Sequence, residues 1–500
     1  MLCDPRLHAN CRSSGDTALK VARENRKGLF LLDNFRDYDK IKAKGGFAVE
    51  GENSALFSRR DLKRLILPLV VEQFLAVTIG MMDTIMVSSC GEAAVSGVSL
   101  VDSINILMIN IFSALATGGS IIASQYLGRD DRKNANAAAR QLMLSVGVLA
   151  SVVALLAILF NEHLLRLIFG AAEDDVMANC TIYFFWTALS YPFIGIYNGG
   201  AALFRSMGNS RVSMVISIGM NAINISGNAI LIFGLKMGVA GAAIPTLVSR
   251  IVGAVVVTVM LLNRKHHHVI FLEFYSRRDF RFDFPMIRRI LGIGIPNGLE
   301  NGMFQIGKVL LQSLVTSFGT IAVAANAVAG NISSFTQIPS AAIGLAMITI
   351  VGQCVGAGAY DQAKKYIWRL YGLSELCLVV LCVVVTFLAR PIVGFYGLSA
   401  ETTDLAVQLI IWCNVFGVLF WAGSFTLPNG LRAASDVRFT MMTSIFSMWV
   451  CRIGCSYLFA SGLGLGVLGV WLGMFADWIF RMFVFIIRLL RGKWMGRQSI

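Results

Sequence analysis

Two carboxylates stand in one apolar run. In "LPLVVEQFLAVTIGMMDTIMVSS", Glu72 and Asp83 are eleven residues apart. That spacing is about three helical turns, so both acids share a face with Gly80. Acids on a water-facing stripe inside a membrane can titrate or ligate Na⁺ as their access changes, which is the chemistry of a cation relay. A second polar set lies in "GIPNGLENGMFQIGKVLLQ": Asn297, Asn301, Gln305 and Lys308 recur at helical spacing with Glu300 beside them. Glu300 and Lys308 are eight residues apart, about 12 Å along a helix, too far for a direct pair. A charge at the bilayer centre costs about 2.5–3.5 kcal/mol, so this stripe is expected to face a transport pathway rather than lipid. Gly302, Gly307 and Lys308 also fit G-x-x-x-x-G-K, but Val309 follows the lysine. A phosphate-binding loop needs Ser or Thr there and a strand before it, so that reading fails.

Asn221, Asn224 and Asn228 are spaced three and four residues apart, and Thr246 follows Pro245. Amides on one helix face either bind cargo or join helices. Further charges in apolar surroundings are Asp102, Arg250, Arg452, Asp477 and Arg481. Arg481 follows Asp477 by four residues, so an intrahelical ion pair is expected. Trp186, Tyr191, Tyr197, Trp412 and Trp421 are the aromatic candidates for lining a cavity that takes flat cations.

The elements that must position these residues follow from composition. Of 500 residues, 56% are hydrophobic and 14% charged, against about 25% charged in soluble domains; mean hydropathy is +0.69. Twelve apolar runs are long enough to cross a bilayer: 65–88, 94–124, 140–160, 178–203, 212–234, 240–262, 290–316, 321–350, 368–389, 404–430, 439–459 and 466–489. The formal charge of +14 collects in the loops of one side, for example Arg59, Arg60, Lys63, Arg129, Arg132, Arg264, Arg277, Arg432 and Arg491. The other side receives Arg166, Lys236 and Arg390. By the positive-inside rule the basic side is cytoplasmic and both termini are inside. The charge thus sets topology, and no nucleic-acid partner is expected. The ten cysteines form no C-x-x-C pair and suggest neither a disulfide framework nor a zinc site. His266, His267 and His268 read as a solvated basic loop. No cofactor is expected, and no His, Ser or paired-acid set has the order of an intramembrane enzyme.

The chain repeats itself. Pro68 and Pro296, Glu72 and Glu300, Gly91 and Gly319, Gln125 and Gln353, and Gly128 and Gly356 are all 228 residues apart. "FRSMGNSR" and "LRAASDVR" match with a shift of 227. The expected fold is an all-α integral membrane protein of twelve helices, two six-helix lobes related by a pseudo-two-fold along the membrane normal, with a cavity between them. The boundaries are a cytosolic, partly disordered extension (1–60), an N-terminal lobe (61–262), an inter-lobe loop (263–287), a C-terminal lobe (288–490) and a tail (491–500). No cleavable signal peptide is visible.

Four stretches then carry a resemblance: "MMDTIMVSSCGEAAVSGVSL", "ASQYLGRDDRKNANAAARQ", "LFRSMGNSR" and "NAILIFGLKMGVAGAAIPT". With the doubled plan, residues 58–495 resemble the multidrug and toxic compound extrusion family of the multidrug/oligosaccharide-lipid/polysaccharide exporter superfamily. The resemblance implies an antiporter that exports small organic compounds, often cationic, in exchange for H⁺ or Na⁺. It implies a monomer in a bilayer, and the style of the motifs points to a bacterial inner membrane. It places Asp83 in a pocket of the N-terminal lobe with Asn224, Asn228 and Thr246. Asn228 stands where many relatives have a carboxylate, which leans the coupling ion towards H⁺. Phe304 stands where some relatives have an acid, leaving Glu300 one turn earlier as the substitute, with Glu72 as its repeat partner. No nucleotide-binding domain is present, so an ion gradient would supply the energy. The rival is an exporter or flippase of a lipid-linked or polysaccharide substrate.

Overall fold

The computed structural model describes residues 56–170, 172–263, 270–272 and 281–496. The N-terminal extension up to residue 55, the histidine run, and basic residues Arg264, Lys265, Arg277, Arg278 and Arg497 lie outside the described residues.

The first copy comprises α1 (Arg59–Ser88), α2 (Glu92–Gly128), α3 (Arg132–Leu159), the short α4 (Asn161–Phe169), α5 (Asp174–Leu189), α6 (Tyr191–Ser206), α7 (Ser210–Asn228) and α8 (Gly238–Leu262). The second comprises α9 (Phe284–Thr316), α10 (Thr320–Gly356), α11 (Tyr360–Gly394), α12 (Ala400–Phe416), α13 (Leu427–Ala433), α14 (Val437–Phe446), α15 (Cys455–Tyr457) and α16 (Gly466–Leu490). Local chemistry fixes the starts. Ser58 Oγ accepts from the Asp61 amide at 3.2 Å while the Ser58 amide donates to Asp61 Oδ2 at 2.9 Å, a closed capping box on α1. The side chains of Asp131 and Asp283 cap α3 and α9.

Nine described helical segments are long and apolar enough to cross a membrane. Three further expected spans are also helical, two of them interrupted. Residues 174–206 break at Ser190 into two helices of 16 residues each. Pro192 at the start of α6 has no N–H to continue the ladder. The α9 helix is unbroken over 33 residues but carries the polar stripe. Residues 437–462 alternate between α and wider π turns. These twelve segments form two lobes. The α2 helix runs 37 residues, about 55 Å, so it extends well past a hydrocarbon core of about 30 Å.

The duplication is visible turn by turn. Gly91 and Gly319 have φ of 103° and 91°, left-handed values that strain any side-chain-bearing residue. The positive-φ pairs Asp130 and Gly358, Lys236 and Gly464, and Gly208 and Ser435 also recur. Where the first copy breaks at Ser190, the second has a π-turn stretch over Gly417–Thr426.

Each lobe has its own apolar core. A third cluster joins them near the basic end, packing Leu62, Leu65 and Leu69 of α1 against Met347, Ile350 and Val351 of α10. Large apolar side chains such as Leu67, Ile85, Leu155, Val255, Leu376 and Phe387 are exposed, as a lipid-facing belt requires.

Candidate functional site

In the N-terminal lobe, α1, α7 and α8 converge. A Cβ at Gly227 would lie 2.6 Å from Pro245 Cβ, so α7 and α8 touch where glycine leaves room. That approach brings Thr246 to the asparagine face of α7. Asn228 Nδ2 donates to Asp83 Oδ1 at 2.7 Å and lies 3.4 Å from Asn224 Oδ1; Asn224 Nδ2 donates to Thr246 Oγ1 at 2.9 Å. The four residues thus form one hydrogen-bonded chain across three helices. Asn228 Oδ1 and Asn221 Nδ2 are buried without a hydrogen-bond partner, so the cluster retains unused polar capacity. Oxygens of this kind suit a hard cation, and the Asp83 carboxylate suits a proton.

A second network adjoins it. Asp102 Oδ1 accepts from Asn105 Nδ2 at 3.1 Å and from the Tyr183 hydroxyl at 3.3 Å, and the Tyr191 hydroxyl donates to Asn105 Oδ1 at 2.8 Å. Arg250 NH1 donates to Ser190 Oγ at 2.7 Å. Asp102 and Arg250 lie within electrostatic reach of Asp83. Asn105 and Tyr183 were not singled out by the sequence. Asn105 could have been found three residues from Asp102 on one helical face; Tyr183 carries no local signal.

The other two candidate coupling acids are tied to arginines. Glu72 Oε1 is 3.2 Å from Arg205 NH1, and Glu72 Oε2 accepts from Ser213 Oγ at 2.7 Å. Glu300 Oε1 receives Arg432 NH2 at 2.6 Å and Arg481 NH2 at 3.3 Å. Arg205 and Arg432 are themselves repeat equivalents, so both copies close the same pair between their first and fourth spans. Tyr197 is buried beside the first pair and donates to the Ser213 carbonyl at 3.3 Å. Glu300→Gln is expected to leave the buried Arg481 and the half-buried Arg432 short of charge and to cost about 3–5 kcal/mol. A lower thermal unfolding temperature in detergent checks this; an unchanged one refutes a structural role for the pair.

The expected Asp477–Arg481 pair is corrected by the structure. Asp477 faces Arg452 NH1 at 3.6 Å and accepts from Ser447 Oγ, whereas Arg481 reaches across to Glu300 and to Ser444 Oγ at 2.7 Å. Helical spacing allowed the intrahelical pair, but tertiary partners took both groups.

On α9, Asn297 is buried, Asn301 and Gln305 are half-buried and Lys308 is exposed. Ile295, Leu299 and Ile306 are exposed on roughly the opposite face. The stripe therefore turns away from the apolar face. Lys308 Nζ lies 5.4 Å from the centroid of the Phe304 ring. Trp186 is half-buried and packs edge-on against Phe185 at 5.5 Å. Trp421 is buried and stacks on Phe425 at 5.1 Å.

The lobes meet closely at the basic end. Gln125 Nε2 donates to the Ala433 carbonyl and to Ser435 Oγ, both at 2.9 Å. Its repeat equivalent Gln353 donates to the Ser206 carbonyl at 2.7 Å. A Cβ at Gly128 would lie 2.0 Å from the Gln353 carbonyl oxygen, and one at Gly356 would lie 2.0 Å from that of Gln125. The two contacts are reciprocal under the repeat, each glycine meeting the glutamine carbonyl of the other copy.

Two homologous six-helix lobes, a buried polar site within one and a reciprocal latch between them are the plan of a membrane transport protein. The chain belongs to the MatE family: the family profile matches residues 68–230 and 296–458, one match per copy. An uncharacterized transporter YisQ of Bacillus subtilis is 27% identical over 438 residues, covering 84% of this chain and 91% of that protein. The probable multidrug resistance protein NorM of Thermotoga maritima is 25% identical over 454 residues, covering 88% and 94%. A crystal structure of MATE in the bent conformation superposes with a TM-score of 0.80 at 20% identity, covering 88% of this chain and 97% of that one. A MOP superfamily transporter from Pyrococcus furiosus, described as having a binding pocket of reverse polarity, superposes at 0.79 with 20% identity, covering 87% and 95%. These structures share the fold.

Proposed function

We propose that the chain is a secondary antiporter that exports small organic compounds, organic cations among them, in exchange for H⁺ or Na⁺ by alternating access of its two lobes. The observation that carries this reading is the chain Asp83–Asn228–Asn224–Thr246. It sets a carboxylate and an unused amide oxygen where a proton or Na⁺ can enter. Glu72 and Glu300 serve differently: each holds an arginine between the first and fourth spans of its lobe, keeping the lobe rigid as it rocks. Asn297, Asn301, Gln305 and Lys308 line the pathway. The symmetric Gln125 and Gln353 contacts close the basic end, which is the cytoplasmic end of a bacterial inner-membrane protein with both termini inside. The boundaries 61–262 and 288–490 delimit the two moving bodies. The relatives named as multidrug resistance proteins support a broad organic cargo.

The test is transport by the purified protein in liposomes loaded with a fluorescent organic cation. A proton gradient and a Na⁺ gradient are imposed separately. Gradient-driven dye movement supports the antiporter and names its ion. Absence of movement under either gradient, for a panel of organic cations, removes the cationic-cargo reading in favour of a lipid-linked substrate.

A further inference from the structure

The C-terminal lobe has a polar cluster that mirrors the Asp83 site with its sign reversed. Arg452 and Arg481 are 6% and 2% exposed. Their guanidinium carbons lie 5.0 and 5.9 Å from the Phe304 ring centroid, and Lys308 Nζ lies 5.4 Å from it. The acids available are two: Asp477, 3.6 Å from Arg452, and Glu300, shared between Arg432 and Arg481. Three guanidiniums, Arg432, Arg452 and Arg481, stand against two acids, and the exposed Lys308 adds a further positive charge at the edge. Nε and NH1 of both Arg452 and Arg481 are buried without a hydrogen-bond partner, as are Glu300 Oε2 and Asp477 Oδ2, so the open donors outnumber the open acceptors; Arg452 NH1 faces Asp477 Oδ2 at 3.6 Å. An uncompensated buried guanidinium costs several kcal/mol, so this arrangement calls for an anion.

The repeat shows how it arose. Subtracting 228 places Arg452 at Asn224 and Lys308 at Gly80, both beside the acidic site of the first copy. Adding 228 to Asp83 gives Leu311. One copy carries an acid among amides, and the other carries bases with the acid deleted.

We propose that the C-terminal lobe binds an organic carboxylate, with Arg452 and Arg481 as its floor and Lys308 at its rim. Guanidinium forks match carboxylate geometry. Phe304 and Phe425, 6.1 Å apart, supply aromatic walls, and Arg481 already lies 4.7 Å over the Phe425 ring. Access runs along the stripe, where Lys308 is exposed and Phe304 half-buried. An aromatic carboxylate is the simplest ligand with both parts. Resting on the exporter reading, the cargo then includes compounds bearing a carboxylate.

The test is equilibrium binding of radiolabelled benzoate to the full-length protein in lipid nanodiscs, with no gradient. Saturable binding is expected, competed by unlabelled benzoate and not by the isosteric neutral benzamide. Arg452→Gln and Lys308→Gln are each expected to weaken it about tenfold or more, since each removes a charge-assisted contact. Lys308 is exposed, so its variant should unfold at the wild-type temperature and remain informative even where the arginine variant does not fold. Absence of saturable binding, or binding unchanged in both variants, overturns the site. Chloride displacing benzoate as readily as benzoate itself assigns an inorganic anion instead and overturns the organic ligand. Asp83→Asn should keep benzoate binding whatever becomes of coupled transport, so the two readings fail separately.

Discussion

Alanine at both Gly128 and Gly356 is expected to hold the protein open at its basic end and to abolish transport. Neither glycine is needed for a left-handed turn; each ends a long helix at the point where the opposite lobe arrives. The added methyl would sit 2.0 Å from a backbone carbonyl oxygen, Gln353 in one case and Gln125 in the other. Backbone cannot swing aside as a side chain can, and overpacking of this kind costs about 1–3 kcal/mol per site. The relief is to separate the lobes, which also stretches the Gln125 and Gln353 amides away from the Ala433 and Ser206 carbonyls. A two-state equilibrium shifts by the difference a perturbation makes between its states, and both clashes fall on the closed form alone, so the double variant is expected to depopulate it. Hydrogen exchange by mass spectrometry checks this: segments 204–209 and 431–436, which close that end, should exchange faster. Gly330→Ala is the control, because its Cβ would meet nothing within 4 Å. Wild-type exchange rates in the double variant would show that these contacts do not gate the protein.

What could be read before the structure was whatever depends on one helix or one offset. The repeat spacing of 228 predicted the equivalence of Gly91 and Gly319, and their shared left-handed φ gives that equivalence its physical reason. The asparagine face of α7 followed from residues three and four apart. Its junction with Asp83 needed the family resemblance, because nothing in one helix says which face of another it meets. Partners across the lobe were not legible for the same cause. Glu72 meets Arg205 and Glu300 meets Arg432 over 133 and 132 residues, so two acids that spacing offered as relay members are held in ion pairs. Asp477 and Arg481 show the converse, a permitted local pair outbid by distant ones. The break at Ser190 had a local sign in Pro192 that the unbroken apolar run obscured. The π turns of the fourth and fifth spans in the second copy had none.

Asp83→Asn is expected to reduce gradient-driven transport at least about tenfold, to the level of leak, because coupling contributes about 2.3 kcal/mol per charge per 100 mV only if a charge is carried. The substitution is nearly isosteric. Its amide oxygen can still accept from Asn228 Nδ2, which donates to Asp83 at 2.7 Å, so the α1–α7 contact and the fold should survive. What is lost is the one formal charge in the chain from α1 to Thr246: Asn228, Asn224 and Thr246 are neutral, and Asp102 is already engaged by Asn105 and Tyr183. Among the described residues no other carboxylate belongs to that hydrogen-bonded chain. Dye efflux from liposomes under the gradient that drives the wild type gives the rate, and the thermal unfolding temperature separates lost coupling from lost folding. Asp83→Glu restores the charge one methylene further out and should recover part of the rate. Full activity in Asp83→Asn would move coupling to Asp102, the next carboxylate in the same lobe. Low activity with a normal unfolding temperature, partly rescued by glutamate, would tie export to the charge at Asp83 and not to the shape of its pocket.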